Sequence, residues 1–197
     1  MADSHTGSEA SMERKFKVGI SGSFGGLNLG DEAILQCMIR ELRRSVSVDI
    51  TVFTRDPDDT MRRHQVDRAV PVREASRNEI ARDVEQLDLF VLGGGGILYD
   101  EVVRKYIREV ELANEIGIPV MVYAVGAGPL RDPTAQGLVR NALEQVAMIT
   151  VRERYARTAL EETGLQREIV VTADPGFLME PEPIPEETLQ AEGLVGK

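Results

Sequence analysis

Arg152 follows directly on the apolar run Met148 to Val151. A planar guanidinium at the end of a buried segment can grip a carboxylate or a phosphate through paired hydrogen bonds. An ion pair with Glu153 or Asp174 is the plainer use of the same group. Asp31 and Glu32 close a glycine-rich run, Gly22-Ser23-Phe24-Gly25-Gly26-Leu27-Asn28-Leu29-Gly30. Acidic residues at a helix start are favoured by its dipole, and Asp31 is equally suited to bind a sugar hydroxyl or to take its proton. Gly25, Gly26 and Gly30 let backbone N–H groups come close to a ligand, with Asn28 as a polar side chain among them.

A second run, Gly93-Gly94-Gly95-Gly96, leads into Ile97-Leu98-Tyr99-Asp100. Consecutive glycines cost about 1 kcal/mol each relative to Ala in regular structure, more than a simple turn requires. Gly94, Gly95 and Gly96 are therefore expected to admit a ligand or another backbone, while Asp100 serves as a helix cap or a hydroxyl ligand. Val125-Gly126-Ala127-Gly128-Pro129-Leu130 repeats the pattern, so Gly126 and Gly128 join the set. In Ala173-Asp174-Pro175-Gly176-Phe177, Asp174 either completes a Pro-Gly turn or faces the same opening.

Two phosphate-binding motifs fail here. Gly25 to Gly30 has the spacing of a nucleotide phosphate loop, but Asp31-Glu32 stand where Lys and Ser or Thr should supply a cation and a magnesium ligand. The dinucleotide pattern Gly-x-Gly-x-x-Gly fits neither glycine-rich loop in register. With no His/Cys cluster and no carboxylate pair at ligand spacing, neither a cofactor nor a metal is expected.

These loops need strands to hold them. Branched apolar runs at Phe16 to Ser21, Val48 to Thr54, Leu87 to Leu92, Pro119 to Val125, Met148 to Val151 and Ile169 to Thr172 read as buried parallel strands, with a shorter one at Ala69 to Val72. Asp31 to Arg44, Asn78 to Gln86, Asp100 to Ile116, Thr134 to Val146 and Arg154 to Thr163 carry apolar residues at helical spacing. Gly117, Pro133 and Gly164 punctuate three of these helices. The alternation predicts an α/β fold: a doubly wound, mostly parallel sheet with helices on both faces. In such a sheet the strand C-terminal ends form the ligand crevice, and every loop above leaves a strand at that end.

The 197 residues, 42% of them hydrophobic, suit one domain with a tail. Residues 1–14 read as a polar leader of partly artificial origin, with Met12 as the native start. Residues 15–179 read as the domain, and 180–197 as an acidic, Pro-rich linker to a further domain. A net charge of −10 without a Lys/Arg stripe argues against nucleic-acid binding, and no apolar run is long enough to span a membrane. The lone Cys37 lies in a helical apolar pattern, can form no internal disulfide and fits a cytoplasmic setting.

Five segments in order resemble the polysaccharide pyruvyl transferase family: Asn28-Leu29-Gly30-Asp31-Glu32-Ala33, Leu92 to Leu98, Val125 to Leu130, Thr150-Val151-Arg152-Glu153 and Asp174-Pro175-Gly176-Phe177. The resemblance covers Lys17 to about Leu178. It implies the Rossmann-like N-terminal half of a two-domain enzyme of GT-B type, which moves pyruvate from phosphoenolpyruvate onto two hydroxyls of a sugar or lipid-linked saccharide. The resemblance also implies that Arg152 binds the donor's carboxylate or phosphate and that Asn28 and Asp31 line the acceptor side. A basic, histidine-bearing set is expected from the second domain, since His64 lies in a polar, Arg-rich stretch that suits a general acid poorly. By the same likeness the enzyme is expected in the cytoplasm, the inner membrane face included, with assembly into a homo-oligomer open to it, and this half is expected to be inactive alone. A nucleotide-sugar glycosyltransferase of the same architecture and a non-catalytic saccharide-binding half are the rival readings.

Overall fold

The computed structural model describes residues 14–181 and 183–194. Of the expected leader only Arg14 falls within them, and Glu182 and residues 195–197 of the expected linker lie outside. The strands are β1 (Phe16–Ser21), β2 (Val48–Thr54), β3 (Arg68–Pro71), β4 (Leu89–Gly93), β5 (Gly96–Leu98), β6 (Val120–Ala127), β7 (Met148–Val151) and β8 (Val170–Val171). They form one sheet in the order β3-β2-β1-β4-β6-β7-β8, with β5 pairing the end of β6. Every pairing is parallel. Parallel strands buried on both faces explain why their sequences are continuous apolar runs rather than alternating ones.

The helices are α1 (Leu29–Ser45), α2 (Pro57–Arg63), α3 (Arg77–Val84), α4 (Val103–Ile116), α5 (Pro133–Leu143), α6 (Arg154–Glu161) and α7 (Glu186–Ala191), with a 3-10 turn at Pro175–Leu178. Successive residues of a strand point to opposite faces, so β4 sends Phe90 and Leu92 into one core and Val91 into the other. The first core unites α3, α4, α5 and α6 with the sheet, and the second is roofed by α1 through Ile34, Leu35, Met38 and Ile39. Helices thus cover both faces, as the pattern of apolar runs predicts.

Three elements depart from expectation. The four glycines are not one loop: Gly93 ends β4, Gly96 starts β5, and only Gly94 (φ 85°) and Gly95 (φ 71°) make the connection. Both occupy the left-handed region, where a side chain would be strained. The stretch after β2, read only as polar, holds α2, with Pro57 in its first turn and the Asp56 side chain accepting from Asp59 N–H. Within the expected linker, α7 is helical but buries no residue. No helix among the described residues is long and apolar enough to cross a membrane.

β6 bulges where it passes between neighbours. Its register with β7 slips between Val122 and Val125, and Ala124 takes a positive φ of 48°. The Thr150 hydroxyl resolves the disruption by accepting from Ala124 N–H at 2.7 Å and donating to the Val122 carbonyl at 3.2 Å. Beyond the bulge β6 turns to pair with β5, bringing Gly126 opposite Gly96.

Candidate functional site

Strand order reverses direction at β1, which has β2 on one side and β4 on the other. The connections from these strands leave toward opposite sides, opening a crevice at their C-terminal ends. Phe24 anchors the glycine-rich loop beside it, with its ring wholly buried. A Cβ on Gly94 would lie 2.7 Å from that ring, and one on Gly22 would collide with the Gly93 carbonyl. Gly22 and Gly94 are therefore small for packing between the two loops, and their absent side chains bring the β1 and β4 exits together.

Asp31 sits in the first turn of α1, whose start is capped by Asn28 Oδ1 accepting from Gly30 N–H at 3.0 Å. A Cβ at Gly95 would strike Asp31 Oδ1, so Gly95 is the residue that lets this carboxylate reach the opening. Burial raises the Asp31 pKa, and Glu32 adds to the rise, while Ser23, Arg55 and Arg152 draw it down. A half-buried carboxyl near two cations is suited to exchange a proton with a hydroxyl.

Arg152 leaves β7 toward the same opening. Its Nε donates to Glu153 Oε2 at 2.8 Å and its Nη1 to Asp174 Oδ2 at 3.0 Å. Both plain pairings expected from the sequence therefore exist. They also orient the guanidinium, whose Nη2 lies over Gly96 and Gly126: a Cβ on either would lie 3.8 Å or 3.0 Å from it. Asp174 is held in turn, its Oδ1 accepting from Gly176 N–H at 2.9 Å at the start of the 3-10 turn. Asp31, Gly95, Gly96, Gly126, Arg152 and Asp174 thus surround one opening.

The other sequence-derived residues lie around it in different roles. Asn28 and Gly30 are exposed at the α1 cap. Gly25 (φ 68°) abuts Thr54 at the end of β2 and Asp56 beyond it, and Gly26 abuts the Arg55 guanidinium. Gly128 packs on Tyr155 and Ala159 of α6. Asp100 is occupied as a latch, accepting from the Arg131 and Asp132 N–H groups at 2.9 and 3.1 Å. These residues shape the walls of the opening or lie beyond it, while the first six line it.

Three features escaped sequence reasoning. Arg55 leaves β2 as Arg152 leaves β7, and its Nη2 donates to the Tyr106 hydroxyl at 3.2 Å and to Ser23 Oγ at 3.3 Å. Applying to β2 the reasoning used for β7 identifies it. His64 is only 7% exposed despite its polar sequence neighbours. Its Nε2 faces Glu32 Oε2 at 2.9 Å and its Nδ1 faces Gln36 Oε1 at 2.9 Å, while Glu32 Oε1 accepts from Gly25 N–H at 2.9 Å. His64 therefore braces the loop next to Asp31 from beneath. Finally, Glu109 is buried at 1% exposure under Ser21, with its carboxyl pKa raised by burial. Among the described residues no three potential metal ligands cluster.

The solved structure of UDP-GlcNAc 2-epimerase from Neisseria meningitidis, bound to UDP-GlcNAc, superposes with a TM-score of 0.52 at 10% identity. The match covers 90% of this chain and 51% of the epimerase, so the chain spans about half the length of that protein. At this identity the likeness shows the fold alone: a Rossmann-like, mostly parallel sheet with helices. The molybdenum cofactor binding protein from Rippkaea orientalis matches at a TM-score of 0.39 and 16% identity, covering 78% of this chain and 99% of that one, too distant to bear on the fold. No curated protein matches the sequence. The family model for polysaccharide pyruvyl transferase matches residues 28–190, which span the crevice from the α1 cap to the last helix. The chain belongs to the polysaccharide pyruvyl transferase family.

Proposed function

We propose that this chain is the N-terminal half of an enzyme that transfers pyruvate from phosphoenolpyruvate to two hydroxyls of a saccharide, forming a cyclic ketal in cell-surface polysaccharide assembly. The observation that carries the reading is the convergence of Asp31 and Arg152 on one glycine-floored opening. A carboxylate suits the hydroxyl acceptor and a guanidinium the anionic donor. Asn28 and the glycines Gly25, Gly26, Gly30, Gly94 and Gly128 complete the acceptor wall in this reading, with Asp100 behind it.

The acceptor oxygen bonds to C2 of the enol, its proton passes to Asp31, and C3 gains a proton to become a methyl group. The C2–O bond to phosphate then breaks, with the electron pair leaving on phosphate. The second hydroxyl closes on C2 and releases its proton. Arg152 holds the donor's carboxylate or phosphate as charge shifts toward the leaving group. The acid that protonates C3 belongs to the second domain in this scheme. The reaction runs in the cytoplasm or at the inner membrane face.

Incubating the full-length protein with phosphoenolpyruvate carrying carbon-13 at C2, together with hexosides bearing two free neighbouring hydroxyls, tests the proposal by nuclear magnetic resonance. The label should move into a ketal carbon coupled to sugar protons as phosphate is released. Phosphate release that leaves free pyruvate as the only labelled product would contradict it.

A further inference from the structure

Beside the opening, at the exit of β3, lies a cavity of about 320 Å³ lined by Val72, Arg73, Arg104, Lys105 and Arg108. Four cations and no carboxylate line it, in a chain whose net charge is −10. Like charges so close repel one another, and a structure tolerates the arrangement most readily when an anion joins them.

Two of the cations are held in place. Arg108 donates from Nη2 to the Val72 carbonyl at 2.7 Å and from Nε to Glu109 Oε1 at 2.9 Å. Arg73 lies over the Tyr106 ring, 5.0 Å from its centroid, and helps draw the Glu109 pKa back from the rise that burial imposes. Glu109 thus pairs with Arg108 and lies close enough to Arg73 to feel its charge. Arg104 and Lys105 extend from the first turn of α4, and among the described residues neither forms an ion pair within 4.0 Å. Asp132 lies close enough to Arg104 to feel its charge but is engaged by the Thr134 N–H at 2.9 Å.

A chain of side-chain contacts links the cavity to the opening. Tyr106 is the floor of Arg73 on its ring and the acceptor of Arg55 at its hydroxyl, and Arg55 reaches Ser23 beside Asp31. A ligand whose saccharide meets Asp31 would find this cavity beyond Arg55 and Tyr106 along the strand ends.

We propose that this cavity is a subsite for a phosphate or pyrophosphate group carried by the acceptor saccharide, separate from the phosphate of the donor. The proposal rests on the saccharide-acceptor reading above and specifies the acceptor as a phosphorylated one. Arg73 and Arg108 grip the anion in fixed geometry, and Arg104 and Lys105 add attraction from the cavity mouth.

The test is calorimetric titration of inorganic pyrophosphate into the full-length protein, alone and saturated with phosphoenolpyruvate, and into the double variant Arg104→Gln/Lys105→Gln. Pyrophosphate should bind with or without the donor, and its affinity should fall about tenfold or more in the double variant while donor affinity stays unchanged. Arg73→Gln, which leaves Arg108 and its contacts intact, should produce a loss of the same kind. Hexose 1-phosphates should bind more tightly than the free hexoses, by a margin the double variant removes. Pyrophosphate binding that is absent, lost on adding phosphoenolpyruvate, or equal in wild type and variants overturns the proposal. These titrations need no turnover, so failure of the ketal-forming reading would show separately in the product assay.

Discussion

Replacing Arg152 with Ala in the full-length protein is expected to lower kcat/KM for phosphoenolpyruvate by about a hundredfold to a thousandfold, the range seen when one preorganised donor to a developing charge is removed. The expectation rests on orientation as much as on charge. Glu153 and Asp174 occupy Nε and Nη1 and turn Nη2 over Gly96 and Gly126, whose missing side chains make room for the guanidinium itself. Arg152→Lys should recover only part of the loss, because an ammonium cannot keep both pairings and still present a donor in that direction. A purely structural Arg152 would show lowered thermal stability with near-normal donor kinetics. Unchanged stability and unchanged kinetics would remove it from the site altogether.

Asp31→Asn is expected to produce the second large effect, a fall in kcat of about a hundredfold to ten-thousandfold, as befits loss of a general base. Donor affinity should change little, since the amide fills the same space beside Gly95 and Arg152 retains its own partners. The pH profile distinguishes a base from a mere hydrogen-bond acceptor. Burial holds the Asp31 pKa above its ordinary 3.8, so the protonated form persists to higher pH than in a free aspartate. A base must be ionised, so activity should fall as pH drops through this raised value. That acid limb should disappear in the Asn variant. An identical acid limb in both proteins would assign it to another group.

What could be read from the sequence divides along physical lines. The strands β1, β2, β4, β6 and β7 announce themselves because burial on both faces demands unbroken apolar runs, and helices such as α4 and α5 because one buried face imposes a spacing. The glycine runs at strand ends pointed to the crevice for the same reason: backbone–ligand or backbone–backbone approach forbids a Cβ. What the runs could not reveal is which neighbour each glycine accommodates. Gly94 makes way for Phe24, Gly95 for Asp31 and Gly126 for Arg152, and only the last two concern the opening directly. β5 was hidden because a three-residue strand beginning with Gly96 carries no periodicity. The His64–Glu32 contact joins residues 32 positions apart, through a fold rather than a pattern. Arg55 and Arg73 were within reach, since each follows a strand as Arg152 does, but their polar surroundings resembled an ordinary solvated loop.

The central claim is that this crevice serves an enol phosphate donor rather than a nucleotide sugar, although the fold is shared with an epimerase solved with UDP-GlcNAc. Calorimetric titration of the full-length protein with phosphoenolpyruvate and, separately, with uridine diphosphate addresses it directly. Saturable binding of phosphoenolpyruvate that Arg152→Ala abolishes, with no heat from uridine diphosphate, is the predicted result. Tight binding of uridine diphosphate with phosphoenolpyruvate silent would contradict it.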